Sequence, residues 1–243
     1  MTAPYPALGI RLSAVSKTFG RQLALANVDL DIPAGSYVAV MGANGAGKTT
    51  LLKIVAGLAV PSRGSVTISG VEMRKAGPRL RAMVGFVSHE TMLYGDLSGR
   101  DNLRFHGRLH GLPDVDGAVE ASGARFGAAS FLDRPVRTLS RGMRQRLALA
   151  RALLSDPCVI LLDEPYTGLD EAAAISLNDI LEELASPERV LMVTLHDVAR
   201  ALSGPQRMIA LSGGRVVLDR SIHGEGADVA DTYLELLRSE PAR

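Results

Sequence analysis

The chain reads as an α/β domain on a largely parallel sheet, and three observations point there. Short, nearly all-apolar runs such as "CVILLDE" (158–164) and "RVLMVTLH" (189–196) are buried strands by composition. Helix-periodic stretches alternate with the strands along the chain. One apolar strand, "SYVAVMG" (36–42), runs through a glycine-rich loop straight into a helix-forming stretch, "KTTLLKIVAGL" (48–58).

Taken in order, "ALANVDLDI" (24–32) alternates apolar and polar residues, which predicts a half-buried strand. After the helix at 48–58, "GSVTISG" (64–70) is a short strand between glycines, and "VGFVS" (84–88) is another. From about Ser98 to Leu154 the pattern turns helical, with breaks near Gly111 and Pro113. This predicts a helical subdomain over approximately 90–157, inserted in the α/β core. Its last part, "LSRGMRQRLALARALLSDP" (139–157), is a helix capped by Ser140 and stopped ahead of Pro157. "RMIAL" and "RVVLD" near the end form a hairpin across Ser212–Gly214. No low-complexity tract or internal repeat interrupts the chain, so residues 1–243 are read as one domain.

The chain has 243 residues and is 47% apolar, enough for one large domain with a substantial core. No apolar run approaches the ~20 residues of a membrane span. The start "MTAPYPALGI" lacks a charged n-region and an apolar h-region, so no secretory signal is read there. The single cysteine, Cys158, excludes an intrachain disulfide and fits a reducing, cytoplasmic setting. Net charge is only +1, but it is unevenly spread. Residues 74–151 hold 14 basic and 7 acidic side chains, and residues 152–243 hold 7 and 16. Ordinary solvated faces explain this; so does a middle segment turned toward an anionic partner such as phosphate or a membrane surface. The basic residues are 23 Arg and 4 Lys, a skew that reads as codon usage ahead of function.

Three stretches carry chemistry. "GANGAGKTT" (Gly42, Ala43, Asn44, Gly45, Ala46, Gly47, Lys48, Thr49, Thr50) fits G-x-x-x-x-G-K-[ST] between a strand and a helix. Its glycines let backbone N–H groups curl around phosphate oxygens, and the helix start adds positive potential. Lys48 is expected to reach the β- and γ-phosphates, and the Thr49 hydroxyl to ligate Mg²⁺. "VILLDEP" (159–165) ends a buried strand with two acids that packing does not require. Asp163 is expected to hold Mg²⁺ directly or through water, and Glu164 to orient an attacking water. "TLHD" (194–197) ends another buried strand with His196, where ligands bind in parallel sheets, so His196 is expected at the γ-phosphate. The helix at 139–157 poses a separate problem. Arg141 and Arg144 lie in its first turn, where cations oppose the helix dipole unless an anion meets them.

Together these features resemble the ATP-binding subunit of ABC transporters, over nearly the whole chain. "LSRGM" sits where that family has its LSGGQ signature, about ninety residues after the P-loop, "YTGLD" (166–170) matches the D-loop, and His196 matches the switch histidine. The resemblance implies a P-loop NTPase fold of ABC type, with an antiparallel β part and a helical subdomain beside the parallel core. It implies ATP and Mg²⁺ as ligands, hydrolysis of ATP, and a head-to-tail dimer with a second copy or a paired subunit. In that dimer Ser140 and Gly142 of one chain face the γ-phosphate held by the other, which answers the arginine problem. Asp170 is carried over with the D-loop. Phe19 matches the aromatic that stacks on adenine; a core phenylalanine is the other reading.

Two departures stand out: Arg141 and Met143 replace a glycine and a glutamine of the signature, and His89 replaces the glutamine that contacts Mg²⁺ or water. Imidazole is a poor Mg²⁺ ligand, so His89 is expected to act by hydrogen bonding or through water. His89, followed by "NLRFHGRLHGL" (102–112), is similar to the haem-exporter ATPase of cytochrome c maturation. The resemblance also implies a separate membrane permease and a place on the inner face of the cell membrane, with no nucleic acid bound. Two other classes compete. A soluble ABC-type ATPase acting on DNA or ribosomes would usually carry long coiled-coil insertions or two cassettes. A P-loop kinase would leave "LSRGM" and "YTGLD" unexplained.

Overall fold

The computed structural model describes residues 9–88 and 90–239; His89 lies outside the described residues. The chain opens with β1 (Ile10–Phe19) and β2 (Gln22–Ile32), an antiparallel pair. The central strand β3 (Tyr37–Met41) follows, then α1 (Lys48–Val55), β4 (Arg63–Ile68), β5 (Val71–Glu72), α2 (Pro78–Ala82) and β6 (Val84–Val87). Three helices come next: α3 (Gly99–Leu109), α4 (Val115–Arg125) and α5 (Arg141–Leu153). The chain then returns through β7 (Val159–Asp163), α6 (Glu171–Leu184), β8 (Val190–Thr194) and α7 (Val198–Leu202). It closes with β9 (Arg207–Ser212), β10 (Arg215–Ser221) and α8 (Gly226–Ser239).

The strands form two sheets. One is antiparallel, in the order β2-β1-β4-β5; the other is six-stranded, in the order β10-β9-β3-β8-β7-β6. In the larger sheet every pairing is parallel except that of the edge strand β10 with β9. Successive side chains of a strand point to opposite faces, and here the two faces feed two cores. Tyr37, Ala39 and Met41 face the core shared with the helices at 99–153 and α6. Val38 and Val40 face the core shared with α1 and the antiparallel sheet. The strands β7, β8 and β9 divide in the same way, so their central residues are apolar on both faces.

Local signals set most boundaries. The helix expected over 48–58 stops at Val55, because Gly57 turns left-handed (φ 71°) and its N–H bonds Ile54 O. Ser98 caps α3 by accepting from Asp101 N–H at 3.0 Å, and Asp114 caps α4 by accepting from Gly117 N–H at 2.9 Å. The stretch read as helical from 98 to 154 is three helices with a non-α link. Between Arg125 and Arg141 the chain makes only two 3₁₀ turns, 129–131 and 136–138.

Candidate functional site

The site lies where β3, β7 and β8 end. Asp163 and Thr194 are register partners across β7 and β8, and Val40 of β3 pairs with Thr194 on the other side. Residues 42–47 leave β3 one step beyond that row and open α1. The carboxyl edge of the sheet thus gathers the phosphate loop, both acids and His196, the place open α/β sheets keep for ligands.

Backbone geometry in the loop explains its glycines. Gly42 and Gly47 have φ of 141° and 110°. A Cβ on Gly42 would come within 2.3 Å of Leu211 O, and one on Gly47 within 2.6 Å of Ala24 O. Ala46, buried, accepts at its carbonyl from Gly214 N–H, tying the loop to the β9–β10 turn. Beyond it, Lys48, Thr49 and Thr50 precede the first bond of the helix turn, Leu51 N–H to Gly47 O, so α1 offers free N–H groups to the cleft. Lys48 is itself buried, and its Nζ donates to Gly42 O at 2.7 Å and Ala43 O at 3.1 Å. Burial pushes its pKa down, while Glu164 and Asp163 push it up. The cleft in front has a volume of about 300 Å³ and is lined by Phe19, Gln22, Ala24, Asn44, Gly45, Gly47, Lys48, Thr49, Thr50 and Glu164. Phe19 is 53% exposed at its rim, with Lys17 Nζ 4.8 Å from the ring centroid, so the core reading of Phe19 fails.

Asp163 is 1% exposed, and both its oxygens are held. Thr49 Oγ1 donates to Oδ2 at 2.8 Å, and Thr194 Oγ1 donates to Oδ1 at 2.9 Å. The Thr49 hydroxyl and the Asp163 carboxylate make a pair of hard oxygen donors that suits Mg²⁺. Among the described residues no group of three or more His, Cys, Asp or Glu side chains could hold a metal. Glu164 takes a left-handed φ of 52°, rare for a non-glycine. Its N–H donates to Thr194 Oγ1 at 2.8 Å, and its Oε1 lies 2.7 Å from His196 Nε2. Sequence reasoning gave Thr194 no part, although this hydroxyl braces both acids from the buried end of β8. A polar residue closing an all-apolar strand was the signal that could have found it.

The signature residues stand apart from that cleft. Neither Ser140 nor Gly142 lines it. Ser140 caps α5, its Oγ accepting from Met143 N–H at 3.3 Å. Gly142 lets the helix start press on the loop after β7, since a Cβ there would meet Gly168 O at 2.9 Å. Arg141 crosses the same loop, its Cγ and Cδ 2.9 Å from where a Gly168 Cβ would lie. Gln145, buried, donates from Nε2 to Pro165 O at 3.1 Å and fixes α5 to the segment that carries Glu164. Arg141, Arg144 and Glu164 border a second cavity of about 520 Å³. Asp170 caps α6 by accepting from Ala173 N–H at 2.8 Å, and is likewise absent from the lining of the phosphate cleft.

The comparisons agree with this geometry. The sequence pattern of the family described as ABC transporter matches residues 25–167. The phosphonates import ATP-binding protein PhnC 1 of Pseudomonas aeruginosa (strain UCBPP-PA14) is 41% identical over 233 residues, covering 87% of this chain and 84% of that protein. The cytochrome c biogenesis ATP-binding export protein CcmA of Cupriavidus pinatubonensis (strain JMP 134 / LMG 1197) is 36% identical over 174 residues, 72% of this chain and 77% of that protein. Among solved structures, the dimeric ATP-binding cassette MJ0796, in a post-hydrolysis state bound to ADP and Pi, superposes with a TM-score of 0.82 at 27% identity, over 88% of this chain and 98% of that chain.

Proposed function

The chain belongs to the ABC transporter family and has the fold of its ATPases, and on that premise we propose that it is the ATP-hydrolysing subunit that powers transport through a separate membrane permease. One observation carries the reading. The phosphate loop, the Thr49–Asp163 pair and the Glu164–His196 pair converge on one edge of the sheet. Lys48 and the free N–H groups at the start of α1 bind the β- and γ-phosphates. Thr49 and Asp163 hold Mg²⁺, which neutralises charge on the phosphates when bound. Glu164 orients the attacking water and accepts its proton, and His196 steadies that carboxylate and reaches the γ-phosphate. The dimer of the neighbouring structure supports pairing of two such chains; in our reading, Ser140 and Gly142 of each then face the phosphates of the other.

No helix among the described residues is long and apolar enough to cross a membrane. A groove of about 520 Å³ is the surface that suits a permease. It is lined by Leu58, Phe86 and Leu109, with Arg79, Arg81 and His110 at its border and, among the described residues, no carboxylate. Leu58 and Leu109 are exposed. Apolar anchors bordered by the Arg79 and Arg81 guanidinium groups fit a short permease helix that carries apolar residues and at least one acid. The chain then sits on the cytoplasmic face of the membrane as a peripheral subunit. Export of haem for cytochrome c biogenesis is the cargo reading supported by the CcmA relative; the phosphonates importer, at 41% identity, supports a different cargo equally well.

The test is purification from detergent-solubilised membranes followed by reconstitution in vesicles. A stoichiometric polytopic partner that raises ATP turnover supports the reading, and Leu109→Glu should abolish that partnership while leaving the free subunit's turnover intact. Stimulation by haem in the reconstituted complex decides the cargo. Turnover stimulated by DNA or ribosomes, with no membrane partner, overturns the proposal.

A further inference from the structure

The segment after β7 and the segment after β8 touch at two points. The first is Glu164 Oε1 with His196 Nε2, 2.7 Å apart. The second lies a few residues further along both segments, where the Arg200 guanidinium stands 4.5 Å from the centroid of the Tyr166 ring. Tyr166 is pinned from other sides too. Its hydroxyl donates to Asn178 Oδ1 of α6 at 2.6 Å, and Tyr37, at the start of β3, hydrogen-bonds to it. Burial pushes the Tyr166 hydroxyl pKa up, so it stays a neutral donor. The ring is therefore a fixed plate, anchored to the sheet and to α6.

His196 has far less to hold it. The strand ladder ends at Thr194, and Leu195 N–H still reaches Val40 O. Beyond that the imidazole is exposed, and the chain turns into the one-turn helix α7. Asp197 caps α7 through Ala199 N–H at 2.9 Å, and its Oδ2 lies 3.7 Å from Arg200 Nε, which aims the guanidinium. Ala201 is fully buried and ties down the far side of the helix. Arg200 is thus the polar side chain of α7 that contacts the segment carrying Glu164.

We propose that Arg200, stacked on Tyr166, is a positioning residue that holds the His196 segment in register with Glu164. The stack fixes α7 at a distance from the Glu164 segment that lets the imidazole meet the carboxylate. It rests on the assignment of Glu164 and His196 to ATP hydrolysis made above. A half-exposed cation–π contact is weak, so its loss should loosen His196 without unfolding the domain.

The experiment compares Arg200→Ala, Arg200→Lys and Tyr166→Phe in the full-length protein. Readouts are kcat and KM for ATP, Tm, and the imidazole Cε1–H signal of His196 in nuclear magnetic resonance spectra. Arg200→Ala is expected to lower kcat about fivefold with KM and Tm unchanged, and to move the His196 signal toward its position in Glu164→Gln. Arg200→Lys keeps a cation over the ring and should restore at least half of the loss. Tyr166→Phe keeps the ring but loses the bond to Asn178 that anchors it, and should lower kcat less than Arg200→Ala does, with the His196 signal moved in the same direction. Unchanged kcat in Arg200→Ala, an unmoved His196 signal, or an equal loss in Arg200→Lys each overturns the proposal. The underlying assignment fails separately: it falls if Glu164→Gln and His196→Gln turn over at the wild-type rate, whatever Arg200 does.

Discussion

Glu164 holds a backbone conformation that costs a non-glycine residue about 1–3 kcal/mol, and its hydrogen bonds hold it there. Its N–H reaches Thr194 Oγ1 and its carboxylate reaches His196. Glu164→Gln keeps the shape and an acceptor for His196 but removes the negative charge. It should bind ATP normally and lower turnover by about 10²–10⁴-fold, the usual worth of a positioned base; nucleotide binding and steady-state hydrolysis measured side by side decide this. Lys48→Ala should act on the other quantity and weaken ATP binding itself. Thr194→Val tests the brace. It takes the hydroxyl donor from Asp163 Oδ1 and the Thr194 acceptor from Glu164 N–H, each worth about 1–3 kcal/mol when buried. For a chain of this length each kcal/mol is about 2–4 °C in Tm. A thermal melt indistinguishable from wild type would mean that the brace is dispensable.

At the scale of elements, α3 shows how a helix can be held by polar contacts as well as apolar ones. Asn102 is buried; its Oδ1 accepts from Tyr94 N–H at 2.8 Å, and its Nδ2 donates to Tyr94 O and Ser98 O. These bonds clip the loop before α3 onto the helix. Asn102→Ala should cost about 1–3 kcal/mol, since part-buried backbone groups of Tyr94 and Ser98 lose a partner; urea unfolding checks it. One turn on, His106 and His110 stack with ring centroids 4.3 Å apart. Burial, then His110, then Arg151 lower the His106 pKa to about 4. The folded state therefore refuses a proton that the unfolded chain takes up near 6.5. Stability conferred by the neutral ring is full above pH 6.5 and is lost as pH falls toward 4. Partial exposure screens the effect to on the order of 1 kcal/mol. Tm should accordingly fall about 2–4 °C further in wild type than in His106→Gln between pH 7 and pH 5. Parallel pH profiles would contradict this account.

Across the whole molecule, the phosphate loop and the signature helix serve one chain as two separate surfaces. Ser140 and Gly142 do not line the phosphate cleft, and the first turn of α5 carries arginines and no acid. Two chains meeting head to tail would bring the phosphates held by one to the helix start of the other. The single cysteine makes a direct test simple. With Cys158→Ser and Glu164→Gln as background, one preparation carries a cysteine at Ala43 and the other at Arg141, both exposed positions. A short bifunctional thiol reagent should join them only when Mg-ATP is present. Efficient linkage within a chain carrying both cysteines at high dilution, without any mixed dimer, would reject the pairing.

The sequence by itself determined the class of fold, the order of the motifs and the chemistry of the loop. Those properties depend on local pattern: all-apolar strands, a glycine loop running into a helix, acids at a strand end. It also marked Gly42, Gly47 and Ser140, whose roles are set by their own backbone. The three-dimensional fold alone decided who meets whom. Thr49 and Asp163 are 114 residues apart, and their bond exists because α1 starts beside the end of β7. Glu164 reaches His196, and Thr194 braces both acids, because β7 and β8 pair in the register that sets Asp163 against Thr194. A one-residue slip would turn either side chain to the opposite face. That register is fixed by packing on both faces of the sheet, a sum over many distant residues, and no short stretch of sequence contains it.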